Sequence, residues 1–268
     1  MLIFTLMHWK PQYKFITISS IIISILFMDL SFLFFNIRSL KQNKPLFTQL
    51  LLEEKITTFI LNETYLTPKL TCKISGYTLL RNDNNQPALR ANGGVAIGFP
   101  PSIAHRQHTT NILNLSEHLI TTIYYKSIYI TIATIYIRPG HNIPTSFFVY
   151  ISNNLRHYII MADVNIHSRS AQDKAHFIDF IELQTTGTIH HIPKPTRSIS
   201  NTTPDIVITS TTLTNRSTID VLDLLGSDHA PIKLTIQTHQ HTKHTNYPPP
   251  RTVLRFDQAN WEGYKDFI

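Results

Sequence analysis

Cysteine is nearly absent: Cys72 is the single one in 268 residues. That excludes an internal disulfide and a cysteine-rich zinc site, and it fits a reducing compartment. Charge is sparse as well. Only 15% of residues are Asp, Glu, Lys or Arg against 42% hydrophobic, which argues against a disordered chain and allows a sizeable core. Acids are the scarcer sign, 17 against 24 Lys and Arg, for a formal charge of +7. Most of the excess lies between residues 36 and 235. It suits a polyanionic partner such as nucleic acid, although a solvated basic surface explains the same number. There is no internal repeat. The 14 histidines are scattered, most without metal-like spacing.

One long hydrophobic run stands out, Phe15 to Phe35, interrupted only by Asp29 and preceded by Lys10 and Lys14. Its length matches the roughly 20 residues of a membrane span, and the flanking lysines match a signal anchor. An aspartate inside a span costs about 2.5–3.5 kcal/mol. The favoured division is therefore a hydrophobic leader over residues 1–29, outside the domain, followed by a buried strand at about 30–36; Met28 would then be a start. The competing reading is membrane association through residues 1–35. Downstream the pattern predicts an amphipathic helix over Asn43–Lys55 with Pro45 near its start, and strands at Thr57–Leu61 and Val95–Phe99. Leu119–Tyr125 and Ile128–Tyr136 read as a hairpin across Lys126-Ser127. Helices are expected over Phe147–Leu155 and Ala171–Leu183, and strands at Tyr158–Met161, Asp205–Thr209, Thr218–Leu222 and Ile232–Gln237. Many strands with interspersed helices imply a layered α/β or α+β body over 30–237. Residues 238–268, with Pro248-Pro249-Pro250, read as an extended linker.

Three short polar clusters end or follow the apolar segments: Asn62-Glu63-Thr64, Asp163-Val164-Asn165 and Ser227-Asp228-His229. Together they hold the parts of a metal-dependent phosphodiesterase. Carboxylate and amide oxygens suit a hard divalent cation that neutralises charge on phosphoryl oxygens. Asp163 and Asn165, two apart, point to one side of an extended segment. His229 can move a proton or bind a phosphate oxygen, with Asp205 available to orient it. Each cluster alone is explained equally well by a surface glutamate, a turn after a strand or a capped loop. Their conjunction points to the chemistry.

These residues resemble the endonuclease/exonuclease/phosphatase superfamily, most closely the apurinic-like endonuclease domain of jockey-type non-LTR retrotransposons. The resemblance spans about Phe32 to Gln237. Phe35-Asn36-Ile37-Arg38-Ser39-Leu40 is similar to the family's first strand, and Leu61-Asn62-Glu63-Thr64-Tyr65-Leu66 to its Glu-Thr-x-Leu motif. Arg81-x-Asp83 with Asn92-Gly93-Gly94-Val95-Ala96-Ile97, Tyr136-Ile137-Arg138-Pro139, Asp163-Val164-Asn165, Pro195-Thr196, Asp205 and Ser227-Asp228-His229 follow in the family's order. Phe256–Trp261 resembles the linker toward a reverse transcriptase. The resemblance implies a DNase I-like four-layer α/β/β/α sandwich, dependence on Mg²⁺ or Mn²⁺, and nicking of DNA to expose a 3′ hydroxyl that primes reverse transcription. Implied partners are DNA and, in the parent element, its reverse transcriptase and RNA; the implied location is nuclear or cytoplasmic.

Carried over residue by residue, Glu63 and Asn36 hold the metal and Asp228 assists there or at the leaving group. Asp163 orients or activates water, Asn165 and Tyr136 contact phosphate, and His229 acts with Asp205. Thr196 and Arg197 contact DNA. The chain departs from the family at Ala162, which replaces a glycine and is expected to crowd the phosphate. It also departs at His167-Ser168-Arg169-Ser170, which replaces a Trp-Gly, and at the glycine run, reduced to Gly93-Gly94. Two alternatives follow: a catalytically dead remnant that still binds nucleic acid, and a phosphatase acting on small or inositol phosphates.

Overall fold

A computed structural model of the chain describes residues 29–83, 92–109, 117–125 and 128–238. The leader through residue 28, the turn at Lys126-Ser127 and the tail from residue 239 lie outside the described residues. Among the described residues no helix is long and apolar enough to cross a membrane.

The first strand, β1 (Leu30–Asn36), is buried along its whole length. Its near-continuous apolar run follows from having both faces covered. Phe32 and Phe34 point into one hydrophobic cluster, while Leu33 and Phe35 point into another. Helix α1 (Leu40–Glu53) covers that second face with Leu40, Phe47 and Leu51. It starts three residues earlier than the sequence predicts, because Ser39 Oγ accepts the Gln42 amide and caps it. Pro45 thus sits inside the helix rather than at its first turn, at the cost of one backbone bond. The Asn43 side chain ties the same turn to the Ile37 carbonyl at 2.7 Å. The helix ends with Lys55 left-handed at φ 51°. The Lys55 and Ile56 amides bond back to the Leu52 and Leu51 carbonyls, and Ile56 packs with Leu51 in the same cluster.

The remaining strands are β2 (Thr58–Asn62), β3 (Thr78–Asn82), β4 (Val95–Phe99), β5 (Ala104–Gln107), β6 (His118–Tyr125), β7 (Ile128–Ile135), β8 (Tyr158–Asp163), β9 (Gly187–Ile189), β10 (Asp205–Ser210), β11 (Ser217–Val221) and β12 (Ile232–Ile236). The helices are α2 (Thr145–Asn154), α3 (Ala171–Gln184) and the short α4 (Thr211–Thr214). One six-stranded sheet runs β11-β12-β1-β2-β4-β3 and the other β5-β6-β7-β8-β10-β9. Pairing is antiparallel except for β1 with β2 and β7 with β8. Each parallel pair is joined through a helix, α1 in one sheet and α2 in the other, as parallel pairing requires.

Three apolar layers hold the sheets. Between them lie Phe32, Phe34, Ile60, Ile97 and Phe99 of one sheet against Ile123, Ile132, Ile159, Met161 and Val207 of the other. Outside the second sheet, Phe147, Phe148 and Ile151 of α2 and Phe177 and Ile181 of α3 pack on Ile120, Ile160 and Ile208. The result is the expected four-layer α/β/β/α sandwich. The C-terminal ends of β1, β2 and β8 lie on one rim, where ligand sites of parallel strand pairs form.

Candidate active site

Two short bridges join the sheets at this rim. Asn36, the last residue of β1, donates its amide to Glu63 Oε1 at 2.9 Å and to Asp163 Oδ2 at 2.8 Å. Asn62, its partner on β2, accepts the Asp163 amide at 2.9 Å and donates to Thr134 Oγ1 on β7 at 2.9 Å. A β1–β2 pair in one sheet thereby fixes the end of β8 in the other. Asn62 and Thr134 are fully buried. Sequence reasoning placed Asn62 in the Asn62-Glu63-Thr64 cluster without this bridging role and missed Thr134; the available signal was a polar residue closing an apolar strand directly before the motif glutamate.

Asp163 and Asp205 stand opposite each other in the β8–β10 register. Both are buried, at 1% and 3% exposure, as is His229 at 4%. The His229 Nδ1 lies 3.3 Å from Asp205 Oδ2. Thr196 is fully buried and gives its hydroxyl to the same Asp205 oxygen. The expectation of a DNA contact from Thr196 therefore meets a side chain turned inward, where it orients the carboxylate that orients the histidine. Its carbonyl accepts the Ala230 amide, fixing the histidine loop. Ser227 Oγ donates to the Asn36 carbonyl at 2.8 Å and accepts the His229 amide at 3.2 Å, so this loop is tied to β1 as well.

Glu63 sits just past β2 with φ 51°, and Tyr65 with φ 52° donates its hydroxyl to Glu63 Oε2 at 2.5 Å. Such left-handed non-glycine residues are uncommon and concentrate where a side chain must be aimed. Tyr136 follows β7, forms a backbone bridge to Asp163, and interacts with the Glu63 carboxylate. Asn165, also left-handed at φ 49°, turns its amide to the Ile137 carbonyl at 2.8 Å, and its backbone amide donates to Asp163 Oδ1 at 3.0 Å. Asn36, Glu63, Tyr136, Asp163, Asn165, Asp205 and His229 are therefore brought together.

Asp228 points elsewhere. One of its oxygens pairs with Arg38 at 2.8 Å and the other with Arg197 Nε at 3.1 Å. Arg38 is another residue that sequence reasoning missed. The expected crowding by Ala162 does not occur: its methyl is buried with Ile206 and Phe177 in the outer layer, on the helix side of the sheet. Gly93-Gly94 have a local cause. Glu117 Oε2 accepts the Gly94 amide at 2.8 Å, while its other oxygen meets Arg138 at 3.0 Å. A Cβ on Gly93 would lie 2.1 Å from Glu117, and φ is +62°.

Burial, and after it the Asp205 charge, push Asp163 up to about 7, against the opposing pull of His229 and of the Asn36 and Asn165 bonds. Burial works against a charged His229, but the bond to Asp205 and the charges of Asp205, Asp163 and Asp228 outweigh it and raise its value. Burial and then Glu63 raise the Tyr136 phenol far above its ordinary value, so it stays protonated. Burial, followed by the Glu63 bond, raises Tyr65 to about 12. Burial alone would raise Asp228, but Arg38, His229 and Arg197 bring it below the usual carboxylate range.

Ligand atoms of Asp163, Asp205 and His229 lie within 4.8 Å of one another. As a cation cage this set is poor, since His229 Nδ1 is engaged with Asp205 and hard cations prefer oxygen. It fits an oriented histidine beside two carboxylates better. A divalent cation fits next to it: Asn36 Oδ1 is buried and accepts no hydrogen bond, beside the Glu63 carboxylate.

Residues 130–233 match the family model described as endonuclease-reverse transcriptase. No curated protein matches the chain. The fold is similar to the endonuclease domain of TRAS1, a telomere-specific non-LTR retrotransposon, with TM-score 0.63, 13% identity, and coverage of 80% of this chain and 100% of that one. It is also similar to the AP endonuclease LMAP of Leishmania major, at 0.60, 14%, 79% and 88%. The 3′-5′ exonuclease NExo of Neisseria meningitidis gives 0.60, 12%, 78% and 100%. The match over residues 130–233 and the shared sandwich make this chain similar to these nucleases in fold, with the rim residues described above at the end of its two sheets.

Proposed function

We propose that this chain is a divalent-metal-dependent DNA endonuclease, of the kind a non-LTR retrotransposon uses to nick its target. The observation that carries the reading is the convergence of Asn36, Glu63, Asp163, Asp205 and His229 at the joined ends of two sheets. Glu63 and Asn36 Oδ1 would hold Mg²⁺ or Mn²⁺. When bound, the cation neutralises charge building on the phosphoryl and leaving oxygens. Asp163, held by Asn36 and the Asn165 amide, accepts the proton of the attacking water. A value raised toward neutrality suits that role. His229 keeps Nδ1 on Asp205, leaving Nε2 to give a hydrogen bond or a proton to a phosphoryl oxygen. Tyr136, protonated, donates to the phosphate. Water adds to phosphorus, the P–O3′ bond breaks, and the products are a 3′ hydroxyl and a 5′ phosphate. In an element of this kind a reverse transcriptase would extend that hydroxyl. The net charge of +7 supports a polyanion over a small phosphate as substrate.

The test is conversion of supercoiled plasmid to open circle with Mg²⁺, lost in Glu63→Ala and His229→Ala. Folded protein that binds DNA but never nicks it would be the non-catalytic remnant. Turnover of inositol phosphates without nicking would transfer the site to a phosphatase.

A further inference from the structure

Arg38, Asp228 and Arg197 come from three separate loops: the β1–α1 link, the approach to β12 and the approach to β10. Asp228 is 6% exposed and shares its two oxygens between the guanidiniums at 2.8 and 3.1 Å. Arg38 and Arg197 remain 48% and 32% exposed. Two cations thus face one anion, and the cluster keeps a surplus positive charge at the surface. Its backbone is fixed on every side. Arg38 is left-handed at φ 42°, two residues beyond Asn36. Arg197 bridges to Thr202 and to His229. The Ser198 amide bonds the Asp228 carbonyl at 3.0 Å. Each guanidinium carries five donors in a planar fork, and such forks match phosphate oxygens better than an ammonium does.

We propose that Arg38 and Arg197, set in register by Asp228, grip a backbone phosphate of the DNA next to the one that is cut. Asp228 in this account is a positioning residue for the two arginines and not a metal ligand. The inference rests on the nuclease reading and deepens it, by naming residues that seat the substrate.

The experiment uses the full chain and a DNA duplex, with binding followed by anisotropy in EDTA across a salt series, and nicking measured separately against Mg²⁺. Arg38→Gln and Arg197→Gln are each expected to weaken binding about threefold to tenfold and to lower the slope of log K against log salt by about 1. Arg38→Lys keeps the slope but not the full affinity. In an Arg38→Gln, Arg197→Gln background, adding Asp228→Asn leaves the Mg²⁺ concentration for half-maximal nicking unchanged. Unchanged affinity and slope in both arginine variants, in protein whose melting matches wild type, overturns the fork. So does a threefold or larger rise in half-maximal Mg²⁺ on Asp228→Asn, the mark of a metal ligand. Arginine-dependent binding without any nicking would leave the fork standing and defeat the endonuclease reading; nicking with arginine-independent binding would do the reverse.

Discussion

The side-chain amide of Asn36 lies 2.8 Å from Asp163 Oδ2 and 2.9 Å from Glu63 Oε1, so one residue ties together carboxylates carried by different sheets. The bond to Asp163 favours its ionised form. Asn36→Asp replaces a shared donor with a third negative charge. Ionisation of Asp163 should move above its present value near 7, and the acid limb of the nicking pH profile should shift to higher pH. A pH–rate series on wild type and Asn36→Asp checks this; coincident profiles would contradict it.

The buried Asn62 bridge is expected to carry stability. Asn62→Ala leaves the Asp163 amide and the Thr134 hydroxyl without their partners. An unsatisfied buried group costs about 1–3 kcal/mol, so the urea midpoint should fall with an unchanged m-value. A loss below about 0.5 kcal/mol on the same scale would mean that water replaces the amide.

His229→Ala should lower kcat by about 100- to 10,000-fold, the usual worth of a positioned proton-transfer group. Thr196→Val, which removes only the hydroxyl on Asp205, should lower kcat less and leave KM unchanged, because Thr196 acts through Asp205 and His229. A KM effect as large as the kcat effect would return Thr196 to direct DNA contact.

Metal-free protein should lose stability as pH rises. The folded value of Asp163 is raised from 3.8 to about 7, first by burial and then by the Asp205 charge. Its contribution is therefore complete below 3.8 and lost as pH climbs through about 7. His229 is also raised, from 6.5, by the Asp205 bond and the neighbouring acids against the effect of burial. Its contribution is complete below 6.5 and lost as pH climbs past the folded value. The signs agree, so melting temperatures in EDTA should fall from about pH 5 to pH 8, and Asp163→Asn should flatten the decline. A melting temperature that rises across this window refutes the assignment.

Gly93→Ala should destabilise by about 1–3 kcal/mol, since its Cβ would meet Glu117 and its φ is +62°. Thermal melts of Gly93→Ala with and without Glu117→Ala separate the causes. Partial recovery in the double variant assigns that share to the collision, and the remainder to the backbone.

Much of the fold is legible in sequence where burial is two-sided or alternation is clear. β1 falls at the predicted 30–36 because both of its faces are covered. The β6–β7 hairpin pairs Tyr125 with Ile128 as its spacing implies. Strands β3 and β5 were not legible: β3 is half-buried throughout, and β5, Ala104–Gln107, is exposed at every position, so neither carries an apolar period. The start of α1 was misplaced because Pro45 looks like a first-turn residue, whereas the capping Ser39 decides the boundary. At the rim, the motif residues announced themselves, but their supports did not. Asn62 reads as an ordinary polar strand end until Thr134 and the Asp163 amide are beside it. The partners of Asp228 lie in other loops, and nothing local to the Ser227-Asp228-His229 tripeptide names Arg38.

Asn36, Asn62 and Asp163 close strands that lie in the middle of their sheets, flanked on both sides by other strands. Interior strands are among the last parts of a domain to open, whereas Arg38 and Arg197 ride on connecting segments, which accept substitution and changes of length more readily. On the nuclease reading proposed above, hydrolytic machinery and substrate grip are therefore mounted on parts of differing rigidity, and preference for one DNA target over another would drift through the loops while the scissile chemistry stays where it is.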